Sequence, residues 1–351
     1  MIKVLVVDDS HTNRELISEI LEGSPYITVV GTAADGEEAI QKVVRLKPDL
    51  ITLDLEMPRM DGFTFLRWLM RSFPVPVLVI SSRDDDKSVI RALEFGAVDF
   101  LPKPINPEAM EDLGRELIEK VKLYATLEVS KLKSSVAILD QALREKPEIP
   151  TRFKALPAGL PYDIVAIGSS TGGPPALQTI LTKLPKDFSA PVVICQHMPQ
   201  SFTKFFAERL DKLVPMEVKE AENGDLLKPG RVLIAPGGRH MSIVKAGDSA
   251  RVAIHDALKA DKYIPSVDIM MESVASLYGM RAMGIILTGM GNDGRSGMGS
   301  IKKAGGLTLA ESQETAVIYG MPREAIEAGH VDLIVPLGRI ASEIIKSMQS
   351  A

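Results

Sequence analysis

Ser170 has the local sequence of a catalytic nucleophile. It lies in Gly168-Ser169-Ser170-Thr171-Gly172, which matches the G-x-S-x-G pattern and follows the apolar run Ile164–Ile167. In that pattern the glycines allow a tight turn from strand to helix that exposes the serine hydroxyl. A helix N-terminus beside the turn would help to stabilise a developing oxyanion. The residues favour nucleophilic catalysis by a serine, and a Gly/Ser turn that binds phosphate is the alternative.

A serine nucleophile needs a general base, and His197 is the first candidate because histidine exchanges protons near neutral pH. It follows the apolar run Val192–Cys195, so it lies at the carboxyl end of a strand, as Ser170 does. His240, after a glycine-containing turn, is the second candidate. Side chains two residues apart on a strand are about 7 Å from each other, so we interpret Cys195 as a core residue rather than a partner of His197.

A third group must orient the base, and Asp293 is the first candidate. It lies in a glycine-rich loop after the apolar run Gly284–Leu287, again at the carboxyl end of a strand. Asp268 is the main competitor, but its surroundings are typical of the opening of a helix. The chain order Ser, His, Asp differs from that of the α/β-hydrolases, which is permissible because geometry defines a triad.

A second group of reactive side chains lies near the N-terminus. Asp8 and Asp9 follow the first apolar run, and Asp54 follows the third. The ends of these strands can be neighbours in a doubly wound sheet, and three carboxylates so close repel one another unless a cation neutralises them. A hard divalent ion with oxygen ligands, Mg²⁺, fits this set best.

Ser81 and Lys103 follow the fourth and fifth apolar runs, so a hydroxyl and an ammonium face the same crevice. A carboxylate nucleophile, a metal, a hydroxyl and a lysine are suited to receiving a phosphoryl group. The alternative is that each aspartate caps a helix or a turn. Capping is a good explanation for any one of these residues, but it does not explain why all five follow strands that end at the same edge of the sheet.

The elements that must position these residues are alternating strands and helices. Residues 1–122 contain five such units, which indicate a doubly wound sheet of five parallel strands. Residues 123–160 contain proline-rich breakers and are predicted to be a linker with a helical beginning. Residues 161–351 resume the alternation and predict a second doubly wound, mostly parallel α/β domain, with a β-hairpin excursion within about 216–254.

Composition agrees with a two-domain globular protein. The 351 residues carry 41 basic and 46 acidic side chains, a net charge of −5, with one cysteine. Residues 1–122 carry 15 basic and 22 acidic groups (15 − 22 = −7), whereas 161–351 carry 20 of each. This balance argues against a nucleic-acid-binding protein, and no apolar run is long enough to span a bilayer. We expect a cytoplasmic protein without direct membrane insertion.

Residues 1–122 resemble a response-regulator receiver domain, whose fold is flavodoxin-like. The match rests on four runs: Val7-Asp8-Asp9-Ser10, Leu53–Gly62, Ser81-Ser82 and Pro102-Lys103-Pro104. The resemblance implies that a histidine kinase phosphorylates Asp54. It also implies that Asp9, Asp54 and the backbone carbonyl of Glu56 hold Mg²⁺, with support from Asp8.

The same resemblance assigns a switch that responds to the phosphoryl group. It consists of Ser81, Lys103 and Phe100, the last at the position of the family's switch aromatic. For Phe100, an ordinary core aromatic on a strand is the alternative reading.

Most of 161–351 resembles the catalytic domain of the CheB family of chemotaxis protein-glutamate methylesterases. The match rests on runs around the three candidate residues and on Ala235–Met241, Pro265–Asp268 and Tyr319–Pro322. Ser170, His197 and Asp293 fall on the family's triad, and Thr171 with the Met290 backbone amide falls near its oxyanion hole. Ser169 departs from the family, where alanine is common.

The resemblance implies a phosphorylation-activated esterase that removes methyl groups from glutamyl residues of chemoreceptors and deamidates their glutamines. It makes a chemotaxis histidine kinase and methylated receptors the partners, and no cofactor is expected for ester hydrolysis. The unphosphorylated receiver is expected to cover the rim of the active site. Two other classes remain open at this point: a DNA-binding response regulator, disfavoured by the neutral second half, and a non-enzymatic phosphate-binding module.

Overall fold

The structure, a computed structural model, describes residues 1–81, 86–103, 107–128, 131, 137–139, 141–143 and 163–349. These residues form two compact units, within Met1–Val136 and Ala137–Ala351. Most of the predicted linker 123–160 lies outside the described residues, as do Ser82 and Pro104 of the receiver motifs. None of the helices in the described part of the chain is long and apolar enough to cross a membrane.

The N-terminal unit is a sheet of five parallel strands, as the alternating pattern predicted, and the strand order is β2-β1-β3-β4-β5. Its strands coincide with the apolar runs: the inner strands β3 and β4 are fully buried, whereas the edge strand β2 is mostly half-buried. In chain order its elements are β1 (Ile2–Val7), α1 (His11–Glu22), β2 (Ile27–Ala33), α2 (Gly36–Leu46), β3 (Leu50–Leu53), α3 (Gly62–Ser72), β4 (Val77–Ser81), α4 (Asp86–Glu94), β5 (Asp99–Pro102) and α5 (Pro107–Tyr124).

Side chains that follow the strands begin several of these helices. The Ser10 hydroxyl accepts a hydrogen bond from the backbone of α1, and Asp35 and Asp61 do the same for α2 and α3. At the start of α3, a Cβ on Gly62 would lie 2.4 Å from the carbonyl oxygen of Asp54. Glycine is therefore required there for the helix to approach the backbone of β3.

The C-terminal unit is a parallel sheet of seven strands with the order β14-β13-β12-β6-β7-β9-β8. In chain order its elements are β6 (Ile164–Ser169), α6 (Gly173–Leu181), β7 (Val192–Gln196), α7 (Gln200–Asp211), β8 (Glu217–Glu220), β9 (Arg231–Ile234), β10 (Arg239–Ala246), β11 (Ser249–Asp256), α8 (Val267–Tyr278), β12 (Ala282–Ile286), α9 (Arg295–Lys303), β13 (Leu307–Glu311), α10 (Met321–Glu327), β14 (Leu333–Val335) and α11 (Leu337–Gln349).

The predicted hairpin excursion is the antiparallel pair β10–β11, which forms a separate two-stranded sheet. It packs on α8, where the Ser273 hydroxyl accepts a hydrogen bond from the backbone N–H of Ile243 at 2.8 Å. The strands before it, β8 and β9, belong to the parallel sheet, and β8 is an edge strand whose sequence does not distinguish it from the hairpin. The expected fold class is confirmed for both units.

Strand β6 is the switch point of the second sheet. The chain passes from β6 to β7 and β9 on one side and later returns to β12, β13 and β14 on the other. In such sheets ligands bind outside the carboxyl ends of the strands at the point where the strand order reverses. The strands that precede Ser170, His197 and Asp293 are β6, β7 and β12, three neighbours in the sheet.

Candidate active site and phosphoacceptor crevice

Ser170 directly follows β6 in a tight turn that leads into α6. Gly172 has a positive φ of 78°, which favours glycine, and Pro174 lies in the first turn of the helix. The Ser170 backbone N–H donates to the carbonyl of Thr288 at 3.0 Å, and its side chain is half-buried. Strand, turn and helix therefore present this serine at the sheet edge, as the G-x-S-x-G pattern predicted.

Ser169, the neighbouring serine, is fully buried and points away from that edge. Its hydroxyl donates to Oε1 of Gln196 at 2.7 Å. The Gln196 amide in turn donates to the backbone carbonyls of Ser170 and His197, at 2.9 and 3.0 Å. Ser169 thus helps to join the ends of β6 and β7, which leaves Ser170 as the accessible hydroxyl.

His197 and Asp293 are brought together at the same sheet edge. The ring Nε2 of His197 lies 2.8 Å from Oδ2 of Asp293. A carboxylate accepts hydrogen bonds, so Nε2 carries a proton and the neutral ring has its lone pair on Nδ1. Among the hydrogen bonds of the described residues, none joins the Ser170 hydroxyl to this ring. Such contacts often form only when substrate is bound.

Asp293 is 2 % exposed and sits in a dense set of donors at the start of α8. Besides His197 it accepts hydrogen bonds from the backbone N–H groups of Val267 (2.7 Å), Asp268 (3.0 Å) and Gly294 (3.1 Å) and from the Ser266 hydroxyl (3.0 Å). Burial alone would raise the pKa of Asp293, but His197 and the backbone donors outweigh it and hold that pKa below its ordinary value. The group is therefore a stable anion beside the base.

The competing candidates have structural roles. Both ring nitrogens of His240 are engaged, Nε2 with Asp261 at 3.0 Å and Nδ1 with the backbone N–H of Ser266 at 3.2 Å. Asp268 lies in the first turn of α8 and accepts from the Gly297 backbone N–H at 2.7 Å. Burial, with the nearby charge of Asp293, raises the pKa of Asp268 to about 6.

Cys195 belongs to the core, as expected. It is fully buried within the apolar cluster of the second unit, and burial raises the pKa of its thiol well above the ordinary value. A neutral buried thiol is a poor nucleophile.

The two residues predicted to lie near an oxyanion hole flank the serine. Thr171 is buried, and its carbonyl accepts a hydrogen bond from the Thr288 hydroxyl at 2.9 Å. Met290 is half-exposed. A Cβ added to Gly289, the residue before it, would lie 2.8 Å from Cβ of Ser170. Both therefore lie near the nucleophile, and their role in binding an oxyanion stays a prediction.

Sequence reasoning missed one aromatic residue at this site. The ring of Tyr263 stacks on the ring of His197, with centroids 5.2 Å apart and planes 4° from parallel. Its hydroxyl donates to Oδ1 of Asn292 at 3.0 Å, one residue before Asp293. The chain around Tyr263 is irregular, so no periodic pattern indicated this contact.

The N-terminal unit gathers the predicted carboxylates at its own switch point, between β1 and β3. Asp8, Asp9 and Asp54 each place an oxygen within 4.8 Å of the others. Asp8 and Asp54 are buried, and Asp9 is exposed. Three hard oxygen donors, one of them open to solvent, fit a single Mg²⁺ ion that also keeps water ligands.

Lys103 reaches into the same crevice. Its ammonium lies 2.6 Å from Oδ2 of Asp54 and 3.0 Å from Oδ2 of Asp8. Burial raises the pKa of Asp54 above its ordinary value although Lys103 opposes the effect. For Lys103, burial disfavours the charge, but the contacts with Asp54 and Asp8 outweigh it and hold the pKa above its ordinary value. The lysine thus offsets part of the carboxylate charge.

The remaining receiver positions lie as the strand pattern predicted. Ser81 ends β4 and Phe100 lies within β5, and both side chains are buried. The backbone N–H of Glu56 lies 3.4 Å from Oδ1 of Asp54, which places this residue beside the phosphoacceptor. Their part in metal binding or switching stays a prediction.

The first unit is a receiver-type sheet with an acidic crevice, and the second is a parallel α/β unit with a histidine–aspartate pair at its switch point. This combination defines the class of response regulators with a hydrolase output. Two family models agree with these units. The response regulator receiver domain model matches residues 4–114, and the CheB methylesterase model matches residues 165–344.

The chain belongs to the CheB methylesterase family. It is 49% identical to protein-glutamate methylesterase/protein-glutamine glutaminase 3 of Geobacter sulfurreducens, over 98% of this chain and 97% of that protein. It is 46% identical to protein-glutamate methylesterase/protein-glutamine glutaminase 1 of Myxococcus xanthus, over 97% and 95%. The crystal structure of the Thermotoga maritima CheB methylesterase catalytic domain is similar, with a TM-score of 0.52, 42% identity and coverage of 53% of this chain and 98% of that one.

Proposed function

We propose that this protein is a phosphorylation-activated hydrolase that removes methyl esters from glutamyl residues of chemoreceptors and deamidates receptor glutamines. The observation that carries the catalytic part is the 2.8 Å contact between His197 and Asp293, beside the strand end that bears Ser170. The names of the relatives, which cover nearly the whole chain, supply the two substrates. Family membership also favours this hydrolase over the DNA-binding and phosphate-binding alternatives.

The first step forms an acyl-enzyme. The Ser170 oxygen attacks the ester carbonyl carbon while Nδ1 of His197 accepts the hydroxyl proton. Asp293 keeps the other ring nitrogen protonated and stabilises the imidazolium that forms. When the tetrahedral intermediate collapses, the bond to the methoxy group breaks, and His197 returns the proton so that methanol leaves.

The second step reverses these roles with water. His197 takes a proton from a water molecule, whose oxygen attacks the acyl carbon, and the bond to Ser170 breaks as the serine regains its proton. The product is a glutamate side chain. A glutamine side chain follows the same course, except that ammonia leaves in the first step. Thr171 and the Met290 backbone N–H are the proposed donors to the oxyanion.

The receiver unit supplies the control. Asp54 is the proposed phosphoacceptor, and a histidine kinase of the chemotaxis pathway is the proposed donor. The residues that would hold Mg²⁺ are Asp9 and Asp54, with Asp8 in support and the Glu56 carbonyl as a further ligand. When bound, Mg²⁺ would offset charge on the transferring phosphoryl group. Lys103 then pairs with the phosphorylated carboxylate, and Ser81 and Phe100 respond to it.

The two adjacent serines provide the test of the catalytic assignment. Ser170→Ala should abolish methanol release from methylated receptor membranes and labelling by a serine-directed fluorophosphonate probe. Ser169→Ala is the matched control, because it removes one buried hydrogen bond to Gln196 and leaves Ser170 in place. Its loss of stability should be about 1–3 kcal/mol, because the buried oxygen of Gln196 loses its donor, and activity should be largely kept. Normal demethylation by the Ser170→Ala protein would refute the assignment.

The test of regulation compares hydrolysis with and without a small phosphodonor such as acetyl phosphate and Mg²⁺. The wild-type rate should rise, and the rate of Asp54→Ala should not respond. Equal rates for the wild type under both conditions would refute the regulatory part and leave the catalytic part standing.

A further inference from the structure

We propose that Tyr263 is a positioning residue that sets the ring plane of the general base His197, an inference that rests on the proposed function. Tyr263 lies outside every motif that identified the site, in the irregular segment between β11 and α8. Its ring is nearly parallel to that of His197, with 4° between the ring planes and 5.2 Å between the centroids. This is the offset stacking that aromatic rings prefer.

The hydrogen bond to Asp293 alone does not orient the base. It fixes Nε2, and the backbone fixes Cβ, but the ring can still rotate about the line through these two atoms. That rotation moves Nδ1, the nitrogen that must meet the Ser170 hydroxyl. A flat neighbour against the ring face removes this freedom. Asp293 therefore fixes the position of the ring, and Tyr263 fixes its plane.

Tyr263 is itself held by the loop that carries the triad carboxylate. Its hydroxyl donates to Oδ1 of Asn292 at 3.0 Å and accepts from the backbone N–H of Asn292 at 3.3 Å. Gly291, with a positive φ of 91°, leaves room for this contact, because a Cβ there would lie 2.3 Å from the Tyr263 hydroxyl. One short loop thus positions the base twice, through Asp293 at a ring nitrogen and through Tyr263 at a ring face.

The stacked ring also suits the change of charge during the reaction. His197 becomes an imidazolium when it accepts the serine proton, and an aromatic face attracts a cation. The Lys262 ammonium lies 4.7 Å from the centroid of the Tyr263 ring and 3.4 Å from Oδ1 of Asn292. This contact shows that the Tyr263 ring binds a cation, although the ammonium itself would repel the imidazolium.

The experiment measures kcat and KM for methanol release with the full chain in the presence of a small phosphodonor. Tyr263→Leu should lower kcat about tenfold or more, because a misaligned base loses effective proximity, while KM changes less than about twofold. Tyr263→Phe keeps the ring face and should recover kcat to within about threefold of the wild type. Asn292→Ala keeps the ring and the backbone N–H donor but removes the oxygen that accepts from the Tyr263 hydroxyl, so its kcat should lie between those of the wild type and Tyr263→Leu.

Tyr278→Leu is the matched control, because it removes the same atoms from the same unit, where Tyr278 packs against the apolar core and not against the site. It should leave kcat unchanged. The inference is overturned if Tyr263→Leu keeps the wild-type kcat, if Tyr263→Phe falls as low as Tyr263→Leu, or if only KM rises. A wild-type protein that releases no methanol would instead refute the proposed function.

Discussion

Replacing Asp293 with asparagine removes one charge and reverses one hydrogen bond while keeping the shape of the side chain. In the native structure Oδ1 accepts three hydrogen bonds, and Oδ2 accepts from the Val267 backbone and from His197. The asparagine oxygen should keep the position with three donors. Its NH₂ group then faces the Val267 N–H and Nε2 of His197.

The consequence for His197 is a change of tautomer. Because the NH₂ group donates, Nε2 must accept, and the ring proton moves to Nδ1. That nitrogen then has no lone pair for the serine proton, so Ser170 loses its base. A wrong tautomer of this kind costs about 10⁴-fold in kcat, or about 5.4 kcal/mol of activation free energy. The unpaired Val267 N–H adds a loss of about 1–3 kcal/mol in stability.

The assay is methanol release from methylated receptor membranes, with urea unfolding to confirm that the variant folds. Asp332→Asn is the matched control. Asp332 also accepts from a backbone N–H, that of Thr308 at 3.0 Å, but it joins β13 to β14 and not the active site. It should lose stability without losing kcat. An Asp293→Asn protein that retains kcat within tenfold of the wild type would show that the base does not depend on this tautomer.

Three further outcomes follow from contacts described above. Gly62→Ala should lower the stability of the receiver unit by about 2 kcal/mol or more, because the new Cβ would lie 2.4 Å from backbone. Gly114→Ala, in the middle of α5 with its nearest contact at 3.4 Å, should instead raise the stability by up to about 1 kcal/mol. Urea unfolding measures both changes, and a loss of stability in Gly114→Ala would contradict this expectation. Asp54→Asn should raise the melting temperature in Mg²⁺-free buffer, because burial disfavours the carboxylate. Added Mg²⁺ should raise the melting temperature of the wild type more than that of the variant, and equal increases would argue against this metal site. Because the pKa of Asp293 is lowered, its ionised form stabilises the fold fully above the ordinary carboxyl pKa of about 4, and this contribution is lost as pH falls through the lowered pKa. The difference in unfolding free energy between the wild type and Asp293→Asn should therefore shrink only below about pH 4. Urea unfolding at several pH values measures this difference.

The strand ends could be predicted because a buried parallel strand leaves a simple pattern. Continuous apolar runs marked eleven of the strands, and a polar residue directly after a run marks the carboxyl end of the sheet. Of the other three, β10 and β11 form the predicted hairpin, and β8 has the sequence Glu217–Glu220, which alternates charged and apolar residues. It is an edge strand with one side open to solvent, so its sequence lacks the apolar run of a central strand.

The site was predictable as far as it is built on strand ends. Asp54, Ser170, His197 and Asp293 all follow such runs, which is why residue type and position sufficed to place them. Tyr263 does not: it contacts His197 across 66 positions of the chain from an irregular segment, and nothing local distinguishes it from a surface tyrosine. Contacts of this kind depend on the tertiary arrangement of loops, which a single sequence does not encode in any period.

The choice of ring nitrogen in the His197–Asp293 pair has a topological consequence. Nδ1 is bonded to the ring carbon that carries Cβ, so a base that uses Nδ1 has a short reach, and its strand must lie directly beside that of the serine. The carboxylate contacts Nε2, the nitrogen farther from Cβ, and can therefore follow the strand on the other side of the serine strand. Here Asp293 follows β12, which lies on the side of β6 opposite β7. A substrate-like alkylating agent should therefore be captured at Nδ1, and peptide mass spectrometry against the two methylhistidine-type standards would record the π isomer.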